Sequence, residues 1–189
     1  YYEQTTNLNM SAYWWDAIGY STSYYFCGYY DGGGYTISGL YTESGSSSTN
    51  SYQGLFGYVY PMATETIICN INITNSDIQG YQYVGGVVGY ARSDLTIYNC
   101  SISGSISATG DYVGGIIGYG LEYIFIHDCY NLSTILGQNS NVGGIAGYLS
   151  TYEEQFYNCY NEGEVSGSQY VSGIIGWVST RSSSFSTYY

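Results

Sequence analysis

The sequence predicts an all-β chain folded as a single parallel β-solenoid, about 29 residues per turn, with three short strands in each turn. Three observations carry this. A glycine phrase recurs as Val84-Gly85-Gly86-Val87-Val88-Gly89-Tyr90 and again from Val113 to Tyr119, Val142 to Tyr148 and Val171 to Trp177, each copy starting 29 residues after the last. Self-similarity at such a period means stacked structural units. A second phrase keeps step: Ile97-Tyr98-Asn99-Cys100, Ile126-His127-Asp128-Cys129 and Phe156-Tyr157-Asn158-Cys159. The third observation is composition. With 28 Tyr, 27 Gly and one Pro, the chain reads as short alternating runs and turns, with no amphipathic helix of three turns.

Taken in order, residues 1–51 form an irregular lead-in. Asn7-Leu8-Asn9-Met10 alternates like a strand, and the run from Tyr24 to Leu40 alternates around a glycine turn, so it should supply the first rungs. Glu43 to Asn50 has the composition of a flexible loop. Regular repeats run from 52 to 180, beginning with a looser glycine phrase at Gln53-Gly54-Leu55-Phe56-Gly57-Tyr58. A Ser-rich tail with aromatic punctuation occupies 181–189. The whole chain, 1–189, is read as one domain.

Within one unit the candidate strands are Val113–Tyr119, Tyr123–Cys129 and Leu132–Leu136. None is long enough for a crossover helix, so each must pair with its own copy one unit on. Stacking places like on like. Leu55, Val87, Ile116, Ile145 and Ile174 form an inward ladder; Ile97, Ile126 and Phe156 form a second; Ile106, Ile135 and Val165 form a third. Cys69, Cys100, Cys129 and Cys159 should sit in one column beside Asn99, Asp128 and Asn158. That column can hold buried free thiols or disulfides between vertical neighbours, and Cys27 makes the total odd. The paired glycines mark a place where backbone packs too closely for a Cβ.

Two basic residues against fourteen acidic ones give a net charge of −12. This excludes nucleic acid and anionic membrane surfaces, which need clustered Lys and Arg. No run is long enough to insert into a membrane, and the opening residues are not expected to act as a signal peptide. The chain does not begin with Met, and is read as a mature protein or a fragment. Asn9, Asn72, Asn99 and Asn131 each begin an Asn-x-Ser/Thr sequence and are candidate N-glycosylation sites.

The phrases "VGGIIGY", "IYNCSISGSIS" and "FYNCYNEGEVSG", with the lead-in text "NLNMSAYWWDAIGY" and "YYDGGGYTISGLY", resemble the GLUG-motif repeats of secreted and wall-anchored bacterial proteins. That group includes the stalk regions of immunoglobulin-A-cleaving metallopeptidases. The resemblance implies a right-handed parallel β-helix at a cell surface, serving as stalk or adhesive module, without catalysis. The chain has no His-Glu-x-x-His, so the peptidase activity of such proteins does not carry over.

No catalytic, cofactor or metal site is expected. Asp94, Asp111, Glu122 and Asp128 fall on successive repeats, but as scattered surface acids rather than the paired carboxylates of a glycosidase. His127, the single histidine, occupies the position of Tyr98 and Tyr157 and reads as a stacked surface residue. Asp31-Gly32-Gly33-Gly34 reads as a turn. The aromatic ladder of Tyr58, Tyr90, Tyr119, Tyr148 and Trp177 leaves three readings open: a wettable cover for a β surface, a protein contact, or a platform for sugars. Phe56, Val88, Ile117, Ala146 and Ile175 alternate with the inward ladder and should therefore face outward. With that aromatic column they mark Ile117 and Ile175 as contacts for a second copy or another surface protein. The expectations for function are a structural or adhesive surface module, a filament subunit, or a polysaccharide-binding or polysaccharide-active β-helix.

Overall fold

The structure, a computed structural model, describes residues 1–42, 47–62, 65–151 and 155–180. The tail at 181–189 and part of the 43–50 loop lie outside the described residues. Among them the only helical element is one 3-10 turn, Ser48–Asn50. Every pairing between strands is parallel, and the strands assemble into four sheets of six, eight, four and five strands that run along one solenoid.

One turn shows how the sequence produces this. Val84–Gly85 lies in the four-stranded sheet, Val88–Arg92 in the five-stranded, Leu95–Tyr98 in the six-stranded and Ser101–Ala108 in the eight-stranded sheet. The chain then returns directly above its start, Val113 pairing with Val84 and then Val142 with Val113. The rest of each turn is thus the crossover that a parallel pair requires. The glycine phrase, read from sequence as one strand, is divided at its glycine pair between two sheets, so a turn has four strand directions.

The predicted columns are present. Ile97 lies in register with Ile68 and Ile126, and Ile126 with Phe156. Ile106 lies in register with Ile78 and Ile135, and Ile135 with Val165. Val87, Ile116 and Ile145 follow one another through backbone bonds from each amide to the next carbonyl, of 3.1 Å (Val87 to Ile116) and 2.8 Å (Ile116 to Ile145). The lead-in contributes rungs too: Tyr2–Glu3 pairs with Tyr29–Asp31, and Leu8–Asn9 with Thr36–Ser38, before each joins the regular turns.

The glycines of the phrase are required for space. A Cβ on Gly114 would lie 2.1 Å from the Ile117 carbonyl oxygen, and one on Gly115 2.2 Å from that of Gly144 in the next turn. On Gly118 it would lie 2.7 Å from the oxygen of Gly89 in the turn before. Three backbone segments meet at this corner, and no side chain fits between them.

That corner overturns one expectation. Ile117 does not face outward: it is 0 % exposed, as are Phe56, Val88 and Ala146 of the same column. The amides of Ile116 and Ile117 both donate to the Ile145 carbonyl, at 2.8 and 3.0 Å, so the chain bends between two sheets and both side chains enter the core. Alternation resumes past Gly118, with Gly120 directed at Leu149, Ile124 and Ile117 in the interior. Ile175, on the last described turn, is half-buried and packs against the core rather than standing out from it.

Candidate functional site

With the outward isoleucines removed, the surface feature that remains is aromatic. Tyr58, Tyr90, Tyr119 and Tyr148 form a column in which successive rings are 4.7, 5.1 and 4.7 Å apart and within 10° of parallel. A second column stands beside it, built from the residues that precede each glycine phrase. Tyr52, Tyr83 and Tyr112 stack at 5.2 and 5.1 Å, nearly parallel. The two columns meet edge to face: Tyr83 lies 5.3 Å from Tyr90 at 88° and 5.4 Å from Tyr119 at 79°. The array ends with Tyr170 edge-on to Trp177, 4.6 Å between centroids. Offset stacking and edge-to-face contact are the two favoured aromatic geometries, each contributing about 0.5–1.5 kcal/mol beyond area burial.

The second column was not anticipated, although Tyr52, Tyr83, Tyr112 and Tyr170 are visible in the sequence just before each copy of the phrase. What the sequence conceals is their backbone. Tyr52, Tyr83, Tyr112, Asn141 and Tyr170 all have left-handed φ, from 51° to 70°. This conformation costs a bulky L-residue roughly 1–2 kcal/mol, and at Tyr52, Tyr83 and Tyr112 it aims the ring along the solenoid onto its copy.

The array is partly withdrawn from water. Tyr58 is 7 % exposed, and burial followed by the neighbouring Tyr112 and Tyr52 hydroxyls pushes Tyr83 up to about 12. Burial also raises Tyr90, Tyr52 and Tyr112. Because rings face rings along the axis, their flat faces are covered by one another and the surface presents edges and hydroxyls. A sugar that stacks on aromatic faces finds none free on Tyr90 and Tyr119, each stacked on both sides. Trp177, at the end of the column, is 43 % exposed.

A second corner carries polar groups. Asn70, Asn99, Asp128 and Asn158 all have φ between 51° and 57°, which Asn and Asp tolerate better than other residues. Their side chains bond along the axis: Asn70 Nδ2 donates to Asp31 Oδ1 at 2.9 Å, Asn99 Nδ2 to Asn70 Oδ1 at 3.1 Å, and Asn158 Nδ2 to Asp128 Oδ1 at 3.0 Å. Beside them Tyr98, His127 and Tyr157 stack at 5.2 and 4.8 Å. His127 Nδ1 lies 2.7 Å from Asp128 Oδ2, and this contact, then the Asn158 amide, holds the Asp128 carboxyl below its usual range. Tyr130 and Tyr160 add a further stack at 5.0 Å.

The cysteine column needs one correction. Cys100, Cys129 and Cys159 follow one another, but Cys69 pairs with Tyr98, which puts Ile71 at the Cys100 position. The reason is spacing: Cys69 precedes the repeat position by two residues. All five cysteines, Cys27 included, are free thiols. The thiols of Cys100 and Cys129 point inward, each within 3.2 Å of the carbonyl two residues before it, and Cys159 within 3.4 Å. Thiol–thiol contact within the column raises Cys129 and Cys159.

The four Asn-x-Ser/Thr asparagines separate clearly. Asn131 is fully buried, in register with Ile102, and its Nδ2 donates to Ser133 O at 3.0 Å and Asn161 Oδ1 at 2.7 Å. It is not available to a glycan in the folded chain. Asn72 is bonded to Thr36 Oγ1 and Ser101 Oγ, and the Asn99 amide is engaged with Asn70. Asn9 is exposed, its oxygen accepting from Ser11 Oγ at 2.8 Å.

The acids considered for catalysis are spread over turns. Asp94 pairs with Ser93 Oγ, Asp111 accepts the Ser140 amide at 2.9 Å, Glu122 sits at a left-handed corner, and Asp128 belongs to the asparagine ladder. Among the described residues no cluster of three or more His, Cys, Asp or Glu side chains could hold a metal, and no helix is long and apolar enough to cross a membrane.

Comparison with known proteins agrees with this geometry. Residues 80–107 match the family described as the GLUG motif, a span that corresponds to one complete turn of the solenoid. Among solved structures, the chain is similar to one titled a "putative immunoglobulin A1 protease" from Bacteroides ovatus, with a TM-score of 0.74 at 21% identity. The likeness covers 96% of this chain and 56% of that one, so the chain spans about half the length of its neighbour, and at this identity it shows the fold alone. No curated protein matches. The chain is a parallel β-solenoid that carries a GLUG motif in the turn from residue 80 to residue 107.

Proposed function

We propose that this chain is a non-catalytic structural module, a stalk that holds neighbouring parts of an extracellular protein away from a cell surface. The observation that carries the reading is the continuity of the side-chain columns. Apolar, aromatic and amide ladders each run in register from turn to turn, so every turn is closed by the next and the solenoid bends or breaks only by unpairing all its sheets. Six stacked strands at about 4.8 Å span on the order of 30 Å. Likeness to a chain named as a protease does not bring that activity here. Asp94, Asp111, Glu122 and Asp128 serve turns and ladders, which supports a structural role.

Self-association has a different address from the one expected. Ile117 is internal and the tyrosine columns cover one another, so that face of the solenoid offers little. The last described turn exposes Tyr170, Val171 and Trp177 at a strand edge that no other described strand pairs. We propose this end as the contact for a second copy or a following module. Trp177→Lys should shift any oligomer to monomer in sedimentation runs; a parent chain that is monomeric at high concentration rejects the contact.

The stalk reading is tested by duplicating residues 113–141. Small-angle scattering should show a rod longer by about 4.8 Å with an unchanged cross-section. Labelling of intact cells should reach the exposed Tyr13. A duplicated chain that thickens or unfolds, or labelling seen only after lysis, overturns it.

A further inference from the structure

Outside the regular turns, the lead-in folds against the solenoid and leaves a cleft between residues 15–20 and 49–53. One wall is aromatic. Trp15 donates its indole N–H inward, to Gly54 O at 3.1 Å and Leu55 O at 3.2 Å, so the part of the ring left to line the cleft is apolar. Tyr20 stacks on Tyr24 with centroids 5.2 Å apart and keeps most of its own surface in solvent. Asp16 lines the same wall, and the other wall is polar, with Thr49, Ser51 and Gln53, whose amide donates to Ser51 O at 3.3 Å.

Ser51 is the informative residue. It lines the cleft, is only 6 % exposed, and its hydroxyl, like those of Thr109 and Ser133 elsewhere, has no hydrogen-bond partner among the described residues. A buried hydroxyl left unpaired is destabilising, and native proteins avoid it unless something else completes the bond. The Ser51 oxygen is itself buried, and a turn about its Cα–Cβ bond would bring it to a hydroxyl group entering the cleft.

The walls also select the class of ligand. Among the described residues no basic side chain lines the cleft. The chain's two basic residues are Arg92, which sits over the Tyr60 ring at 5.4 Å, and Arg181. An anionic ligand would meet Asp16 with nothing to neutralise it. Apolar ring surface and a carboxylate facing a short row of hydroxyl and amide groups suit a neutral pyranose, whose C–H face packs on aromatic carbon while its hydroxyls donate to Asp16 and bond with Ser51. We propose that this cleft binds a neutral sugar residue of a polysaccharide or glycan, which gives the stalk an adhesive point at its lead-in end.

The test is calorimetric titration with trisaccharides of β-1,4-linked glucose, mannose, galactose and N-acetylglucosamine, with trigalacturonate as the charged control. At least one neutral probe should bind saturably, and trigalacturonate should not. Tyr20→Ala and Ser51→Ala should each weaken binding about fivefold. Ser51→Ala should do so while leaving the unliganded protein as stable as the parent or more so, a combination that a merely structural serine does not produce. The proposal is overturned if no neutral probe binds in the millimolar range, if the charged probe binds equally well, or if both variants bind as the parent does. Its failure leaves the rod-length measurement unaffected, and a failed stalk reading leaves the titration unaffected.

Discussion

The lead-in and the regular turns bend the chain by opposite means. Among the described residues, every non-glycine with left-handed φ lies at Tyr52 or beyond, at corners held by Tyr, Asn, Asp, Ser and Glu. The lead-in makes its left-handed bends at glycines, among them Gly19, Gly33 and Gly39. The glycines of the repeated phrase have no such φ and are there because neighbouring backbone leaves no room. Tyrosine divides the same way: Tyr13, Tyr20 and Tyr24 stand in solvent, whereas Tyr83 and Tyr90 are packed on four sides. The lesson is that repetition offsets strain. A left-handed tyrosine is tolerable where its ring packs on rings of the neighbouring turns, as Tyr52, Tyr83 and Tyr112 do. A bend with no copy needs glycine.

The sharpest way to break this comparison is to place one methyl group at equivalent glycines. Gly115→Ala drives a Cβ to 2.2 Å from the Gly144 oxygen and 2.7 Å from Asn131 Cγ, and should cost about 3 kcal/mol or prevent folding. Gly173 occupies the same place in the last described turn and has nothing within 4 Å. Gly173→Ala should cost less than about 1 kcal/mol. Equal losses in chemical denaturation would mean that the glycines serve conformation and not the approach of the next turn.

The next effect belongs to the tyrosines. Tyr83→Ala removes four ring contacts and keeps the strained backbone, so a loss of about 2 kcal/mol is expected. Tyr83→Asn, which copies Asn141, should lose less because Asn accepts left-handed φ. Tyr13→Ala in the lead-in should stay within about 0.5 kcal/mol. Thermal melts of the three variants decide whether stacking offsets the strain.

Alkali should act on the same array. Tyr83 is raised in the folded chain to about 12, so its stabilisation is complete below the ordinary tyrosine value of 10.0 and is lost as pH climbs through the folded value. Stability should therefore fall between about pH 10 and pH 12, with phenolate absorbance rising in step with unfolding. Tyr83→Asn should flatten part of that fall.

Much of the solenoid was legible because repetition writes register directly into spacing: Ile97 to Ile126 and Ile106 to Ile135 needed only counting. Departures arose where spacing and conformation part. Cys69 looked like the column of Cys100, but it lies 31 residues before Cys100, two more than the period, which places it against Tyr98. Ile117 looked external because alternation was carried through a corner where two amides share one carbonyl. Asn131 read as a surface acceptor, yet its distance from Ile102 is one repeat, and that alone marked it as internal. The sugar cleft had no repeat to announce it. Trp15, Tyr20 and Ser51 are brought together by irregular chain, and no periodicity points to them.

The smallest predicted effect lies at the one defect in the asparagine corner. Asn70, Asn99 and Asn158 each donate an amide to the turn before, but Asp128 has no amide to give, and no hydrogen bond joins it to Asn99. Asp128→Asn supplies the missing donor and makes the ladder continuous from Asp31 to Asn158. It also gives up the carboxylate contact with His127 and turns the charged acceptor for Asn158 into a neutral one. These exposed terms oppose each other, so the net change near neutral pH should be a small rise in melting temperature. Acid sharpens the contrast. The Asp128 carboxyl is held below its usual value, so the stability it contributes is present above that value and lost as pH falls through the folded one. The asparagine variant has no such loss, and its advantage over the parent should widen as pH falls into the carboxylate range. A variant that melts below the parent throughout that range would show that the pairing of Asp128 with His127 outweighs an unbroken amide ladder.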